Sequence, residues 1–268
     1  MDNLDELLND PDRRLEDVAL AIAADEYPRL DQTLVHQELD HIAARIAAPL
    51  GGFADNRLRL SRLCEEVYGA LGFRGSDDYD DPRNNYLNDV LERRTGSPVL
   101  MAVLLASVGY RAGVVIEPVG FPGHFLVRAG PAPFLYADPY DGRHPLPRDK
   151  LEALASRELG CNAAEATARL EAVGPRAVAV RILLNLQRIH RMRADHARSL
   201  VIADRLFEAT HAPFHRCDRA LHALVLGAPE AAVADLEAYL AEHPRAPDAS
   251  RVRRVLDRLR SRTLQPTN

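Results

Sequence analysis

Hydrophobic positions recur at helical spacing over most of this chain, and the departure from that rhythm lies between Gly96 and Gly142. The run Val99 to Val108 is apolar all round rather than along one stripe, which predicts a buried helix. Its start is written out. Ser97 stands at the N-cap position, where its hydroxyl is expected to accept a backbone N–H, and Pro98 at the first helical position loses nothing there. Gly113 follows its end. Three segments of strand character come next, Val114 to Val119, His124 to Ala129 and Phe134 to Ala137. Only Gly130-Pro131-Ala132-Pro133 separates the second from the third, so these two read as an antiparallel hairpin. His124 opens one strand and Asp138 closes the next, and antiparallel pairing brings those ends side by side. An imidazole, a carboxylate and a nucleophile at a helix start make a thiol-protease-like triad. The sequence supplies the His and the Asp, and no Cys.

Upstream, Leu15 to Ala47 reads as two helices. The first carries Leu15, Val18, Ala19 and Ile22 on one face and is expected to be capped by Asp12. Tyr27-Pro28 interrupts, and the second carries Leu34, Leu39, Ile42, Ala43 and Ile46 before Pro49 and Gly51-Gly52. Leu58 to Leu71 is a third amphipathic helix closed by Gly72. Phe73 to Asn88 reads as a loop, and Val90 to Arg94 as a short helix. Asp77, Asp78, Asp80 and Asp81 lack the central Gly and distant Glu of an EF-hand, so they are expected to cap turns.

Downstream, Pro147 to Leu170 is linking structure, and from Arg176 the pattern is helical. Ala197, Ile202, Leu206 and Pro213 recur as Ala231, Leu236, Leu240 and Pro247, an offset of about 34 residues, the period of tetratricopeptide helix pairs. A closing helix carries Val252, Val255, Leu256 and Leu259. The expected organisation is therefore an N-terminal helical region (1–74), a mixed core (75–174) and helical repeats (175–268).

Composition narrows the function. The 268 residues can bury a sizeable core, and 47% of them are hydrophobic. A formal net charge of −5 gives no footprint for nucleic acid, and the Arg residues are spread along the chain. Cys64, Cys161 and Cys217 are far apart and form no CxxC pair, so neither a metal site nor a disulfide framework is expected, and no cofactor. No stretch approaches the ~20 apolar residues of a membrane span, and Met1 to Asp12 lacks an apolar signal core. A cytoplasmic location is expected.

The stretch Tyr79-Asp80-Asp81-Pro82-Arg83-Asn84-Asn85-Tyr86-Leu87-Asn88-Asp89-Val90-Leu91-Glu92-Arg93-Arg94, with Gly96-x-Pro98 and Phe121-Pro122-Gly123-His124-Phe125, resembles the SirB family. Those are transglutaminase-like proteins with a C-terminal tetratricopeptide-type region, and the likeness covers roughly Leu30 to Leu259. It implies an α+β fold, mostly helical: a papain/transglutaminase-like core with a central buried helix against a small antiparallel sheet, then tetratricopeptide-like helices. In the wider superfamily a Cys at a helix N-terminus is the nucleophile, a strand His the base and an Asp on the next strand its orienter. His124 and Asp138 match the last two. The Cys position falls on Pro98, or on Leu100 after a slide of two residues, and neither can attack a carbonyl.

The expectation is a non-catalytic module that binds a protein or peptide. An alternative remains open, a hydrolase or acyltransferase using Ser97 with His124 and Asp138. So does a purely structural scaffold in which His124 is a satisfied core residue.

Overall fold

The computed structural model describes residues 4–10, 12–50, 55–121, 124–142, 145–160, 162, 165 and 170–263. Cys161, Pro122 and Gly123 lie outside them. The chain divides into two compact units: one from Glu6 to Ile182, the other from Leu183 onward together with Leu4 and Asp5.

The first unit is built around the helix the apolar run announces. After α1 (Leu4–Asn9), α2 (Leu15–Glu26) and α3 (Gln32–Leu50) come α4 (Asn56–Cys64), α5 (Leu87–Arg93) and α6 (Pro98–Arg111). Every residue of α6 from Val99 to Gly109 is buried, and α6 packs against α2, α3 and two strands of a sheet. Gly109 permits the closest approach: a Cβ there would lie 2.9 Å from both Ile116 Cγ1 and the Val114 carbonyl oxygen. The sheet is antiparallel, β3 (Ile116–Phe121), β4 (His124–Ala129) and β5 (Leu135–Ala137), numbered after two short strands described below. Its register pairs Phe121 with His124 and Val127 with Ala137. Val119, Phe121 and Leu126 of the sheet form an apolar cluster with Leu170 and with Leu151 and Ala155 of α7 (Arg148–Leu159).

Three local expectations are corrected. Asp12 does not cap α2. The N-cap is Arg14, and Asp17 in the first turn accepts the Arg14 N–H at 3.1 Å. Asp12 sits too early, because a capping side chain must stand directly before the first turn. The third helix is not uniform: α4 is capped by Asp55, whose carboxylate accepts the Arg57 N–H at 2.8 Å, and Glu65–Ala70 continues it as a π-helical turn. The Phe73–Asn88 loop is ordered at both ends. β1 (Arg74–Gly75) pairs in parallel with β2 (Thr95–Gly96), and Pro82–Asn85 is a 3₁₀ turn leading directly into α5.

The second unit is helical among its described residues. α8 (Pro175–Met192) crosses from one unit into the other, followed by α9 (His196–Thr210), α10 (Phe214–Val225), α11 (Pro229–Glu242) and α12 (Ala249–Thr263). From α9 onward each helix packs on the next. Asp195 caps α9 through the Arg198 N–H at 3.1 Å, and Gly227, at φ +77°, stops α10. Ala220, Ala223, Ala232, Leu236, Tyr239, Val252 and Leu256 form the shared core. Of the repeated positions, Ile202, Leu206 and Leu236 are buried and Leu240 packs on that core, while Ala197 and Ala231 are exposed.

Candidate functional site

The hairpin fixes the first pair. Continuing the β4–β5 register one residue beyond Ala137 puts Asp138 across from Leu126, diagonal to His124 on the same face. His124 Nδ1 lies 3.2 Å from Asp138 Oδ2. The other carboxylate oxygen, Oδ1, accepts the Tyr140 N–H at 2.9 Å. Asp138 is buried and held through both oxygens, whereas the His124 side chain is 30% exposed. With Nδ1–H donated to Asp138, the lone pair of His124 is left on Nε2, for which the described residues provide no hydrogen bond. This is the tautomer and orientation of a general base.

The start of α6 is anchored separately. The Ser97 N–H donates to the Asn84 carbonyl at 2.8 Å. Ser97 occupies the N-cap position, but its hydroxyl makes no cap; the oxygen is buried with no partner among the described residues. The expected cap is thus absent, and Ser97 and His124 are not joined by a hydrogen bond. Pro98 is half-buried at the first helical position, and Leu100 is wholly inside the core. Of the two positions to which the superfamily's Cys aligns, Pro98 is the less enclosed.

A polar framework, not read from the sequence, ties these parts together. Tyr140, whose N–H holds Asp138, donates its hydroxyl to the Ser76 carbonyl. Ser76 Oγ accepts Asn84 Nδ2 at 3.0 Å, and Asn84 also donates to the Asp78 carbonyl at 2.6 Å. Asn84 then holds Ser97 through its carbonyl. A continuous path runs from the Asp138 carboxylate to the first turn of α6. Gly75 is needed beside it, because a Cβ there would strike the Tyr140 ring. Asp81 locks the 3₁₀ turn: it accepts the Arg83 N–H at 3.0 Å and faces Arg83 Nη2 at 2.9 Å and Arg93 Nη2 at 3.0 Å. Tyr27 donates to Asp89 at 2.6 Å and meets Tyr86 edge-on. The Tyr79–Arg94 stretch thus works as a scaffold. Of the four aspartates expected to cap turns, Asp78 accepts the Asp80 N–H at 3.1 Å and Asp81 the Arg83 N–H at 3.0 Å.

The described cysteines supply no thiolate. Burial, helped by the Glu65 charge, pushes the Cys64 thiol up to about 12. Burial and three nearby aspartates push Cys217 up to about 11. Cys64 borders a cavity of about 350 Å³ with Tyr68, Phe73, Arg74 and Tyr140. Among the described residues no group of three or more His, Cys, Asp or Glu could hold a metal ion, and no helix is long and apolar enough to cross a membrane.

Comparison with known proteins shows the family. Residues 33–184 match the family model described as the transglutaminase-like superfamily. A UPF0162 protein of Xylella fastidiosa is 34% identical over 94% of this chain and 92% of its own length. A UPF0162 protein of Pseudomonas aeruginosa is 31% identical over 76% of this chain and 75% of its own. The F-box only protein 21 of Mus musculus shares a short stretch, 46% identical over 63 residues, which is 10% of that protein. The chain belongs to the transglutaminase-like superfamily.

Proposed function

We propose that this protein is a transglutaminase-like module that has lost its nucleophile and serves as a non-catalytic binder of a protein or peptide. One observation carries the reading: His124 and Asp138 keep the geometry of a base and its orienter, while the helix start they would serve holds Pro98. Pro contributes no side-chain nucleophile and no backbone N–H to an oxyanion hole. We read the helices after Leu183 as tetratricopeptide-like, from the spacing of Ile202 and Leu206 against Leu236 and Leu240, and assign them a share in partner recognition. A serine enzyme fits less well. A catalytic serine hydroxyl hydrogen-bonds its base, and the Ser97 hydroxyl is enclosed and unpaired. The retained pair is then structural, since a buried Asp138 deprived of its imidazole would lose one of its two partners.

The test is turnover. The protein, assayed for amine incorporation and peptide hydrolysis with and without iodoacetamide, is expected to give none above the blank. Turnover abolished by iodoacetamide or by Cys64→Ala would reveal a working thiol. Turnover abolished only by Ser97→Ala would establish the serine enzyme.

A further inference from the structure

Polar side chains are buried among the apolar ones of α8, α9 and α10. His190 of α8 and His215 and His222 of α10 are each 3% exposed, and His196 of α9 is half-buried. Helical spacing puts His215, Asp218 and His222 on one face of α10. Asp218 meets α8 there, 2.7 Å from Arg191 Nη2 and 3.4 Å from Gln187 Nε2. His222 meets α9: its Nδ1 lies 3.0 Å from His196 Nδ1, with ring centroids 5.3 Å apart. Two Nδ1 atoms at that distance need one proton between them, one ring donating and the other accepting. One added proton leaves a cationic donor facing a neutral acceptor; only a second added proton removes the acceptor and sets two cations against each other.

The surroundings offer no compensation. Arg191 on α8 is itself a cation, and it occupies Asp218. His215 lies 3.7 Å from the same carboxylate. Asp195, at the α9 N-cap, is bound by Arg198 at 2.9 Å and faces His190 at 3.5 Å. Arg219 on α10 is held by Asp204 of α9 and Asp235 of α11. His222 Nε2 is buried with no partner among the described residues. Among the described residues no group of three or more His, Cys, Asp or Glu could hold a metal ion there.

We infer that the His196–His222 pair is a proton-sensitive latch between α9 and α10, closed while at least one ring is neutral and opened in mild acid when both are protonated. Burial, the adjacent His196 and the Arg191 charge hold His222 below the ordinary histidine range, against an opposing pull from Asp218. Because the folded value is depressed, the unfolded chain takes up the proton first. The latch therefore contributes fully above the ordinary value of 6.5 and is lost as pH falls through the folded one. Asp195 and Asp218 are both held below the usual carboxylate range although burial alone would raise them, chiefly by bonds from Arg198 in the first case and from His215 with the Arg191 charge in the second. Their own loss falls at lower pH, so the two effects separate.

Hydrogen exchange on the full chain tests this. Between about pH 7.5 and 5.5, after correction for intrinsic rates, amides of α9 and α10 are expected to lose protection by about tenfold, the ratio for one lost hydrogen bond of about 1.4 kcal/mol. Amides of α6 should hold theirs, His196→Gln should weaken the dependence and His222→Gln should abolish it. NMR titration of the wild-type His222 ring needs no variant, and should show its step below the ordinary histidine range. Protection that does not change with pH overturns the latch. So does a pH dependence that survives both His196→Gln and His222→Gln, or two rings titrating independently near the ordinary value.

Discussion

Arg111→Ala is expected to destabilise the first unit by about 3–5 kcal/mol, the range for a buried ion pair stripped of one partner. Glu16 of α2 is 2% exposed and takes a hydrogen bond from Ser107 Oγ at 2.7 Å and from Arg111 Nη1 at 2.6 Å. Arg111, at the end of α6, also contacts Asp40 at 2.7 Å and His36 Nδ1 at 3.2 Å, binding α2 and α3 to the central helix. Without the guanidinium the buried carboxylate keeps the Ser107 hydroxyl, its own backbone N–H and Arg14 at 3.9 Å. The pH dependence should weaken as well. In the native protein burial alone would raise the Glu16 pKa, but the Ser107 and Arg111 bonds lower it, so its contribution is present above 4.5 and lost as pH falls. In the variant the share of that lowering supplied by Arg111 is gone, so the folded value moves up. The deficit is then largest at neutral pH and shrinks as pH falls below 4.5. Urea unfolding at pH 7 and pH 4 should show the gap between native protein and variant narrowing at the lower pH; a constant gap would mean that Glu16 does not carry the effect.

Asp81→Ala is expected to cost about 2–3 kcal/mol, combining a lost cap of about 1 kcal/mol with lost charge-assisted hydrogen bonds. Its carboxylate closes the 3₁₀ turn, accepts Arg83 and holds Arg93, whose Nη1 reaches Asn84 Oδ1 at 3.3 Å. Asn84 in turn holds Ser97, so the loss reaches the start of α6 and not only the loop. Asp81→Asn keeps a capping oxygen and drops the charge, so it should recover about the capping share. Burial alone would raise the Asp81 pKa, yet the Arg83 hydrogen bonds and the Arg93 charge lower it. The advantage over Asp81→Asn is therefore present above the ordinary carboxylate value and should fade as pH falls below about 4. Equal midpoints for all three proteins at pH 7 would exclude Asp81 as the lock.

What could be read in the sequence was what periodicity and turn chemistry record. The apolar run with Ser97-Pro98 gave α6, and Gly130 to Pro133 gave the hairpin and with it the meeting of His124 and Asp138. The framework was not readable, because its partners are distant in the chain and its bonds run between side chains and backbone. Nothing local says that the Tyr140 hydroxyl will find the Ser76 carbonyl. β1 and β2 were missed because a two-residue strand leaves no alternation to read. The Ser97 cap failed although the residue type was right, since its N–H is committed to Asn84 and its hydroxyl is enclosed. The face formed by His215, Asp218 and His222 was periodic, but only the packing shows that His196 meets it.

The proposed loss of a nucleophile can be examined directly by placing a thiol with Pro98→Cys and following its alkylation by iodoacetamide against pH. A helix N-terminus and a neighbouring imidazole lower a thiol from its ordinary value of about 8.5. The expected result is an apparent pKa below about 7 that returns toward the ordinary value when His124→Ala is added. An ordinary thiol pKa, indifferent to His124, would mean that this helix start and the His124–Asp138 pair do not form one site.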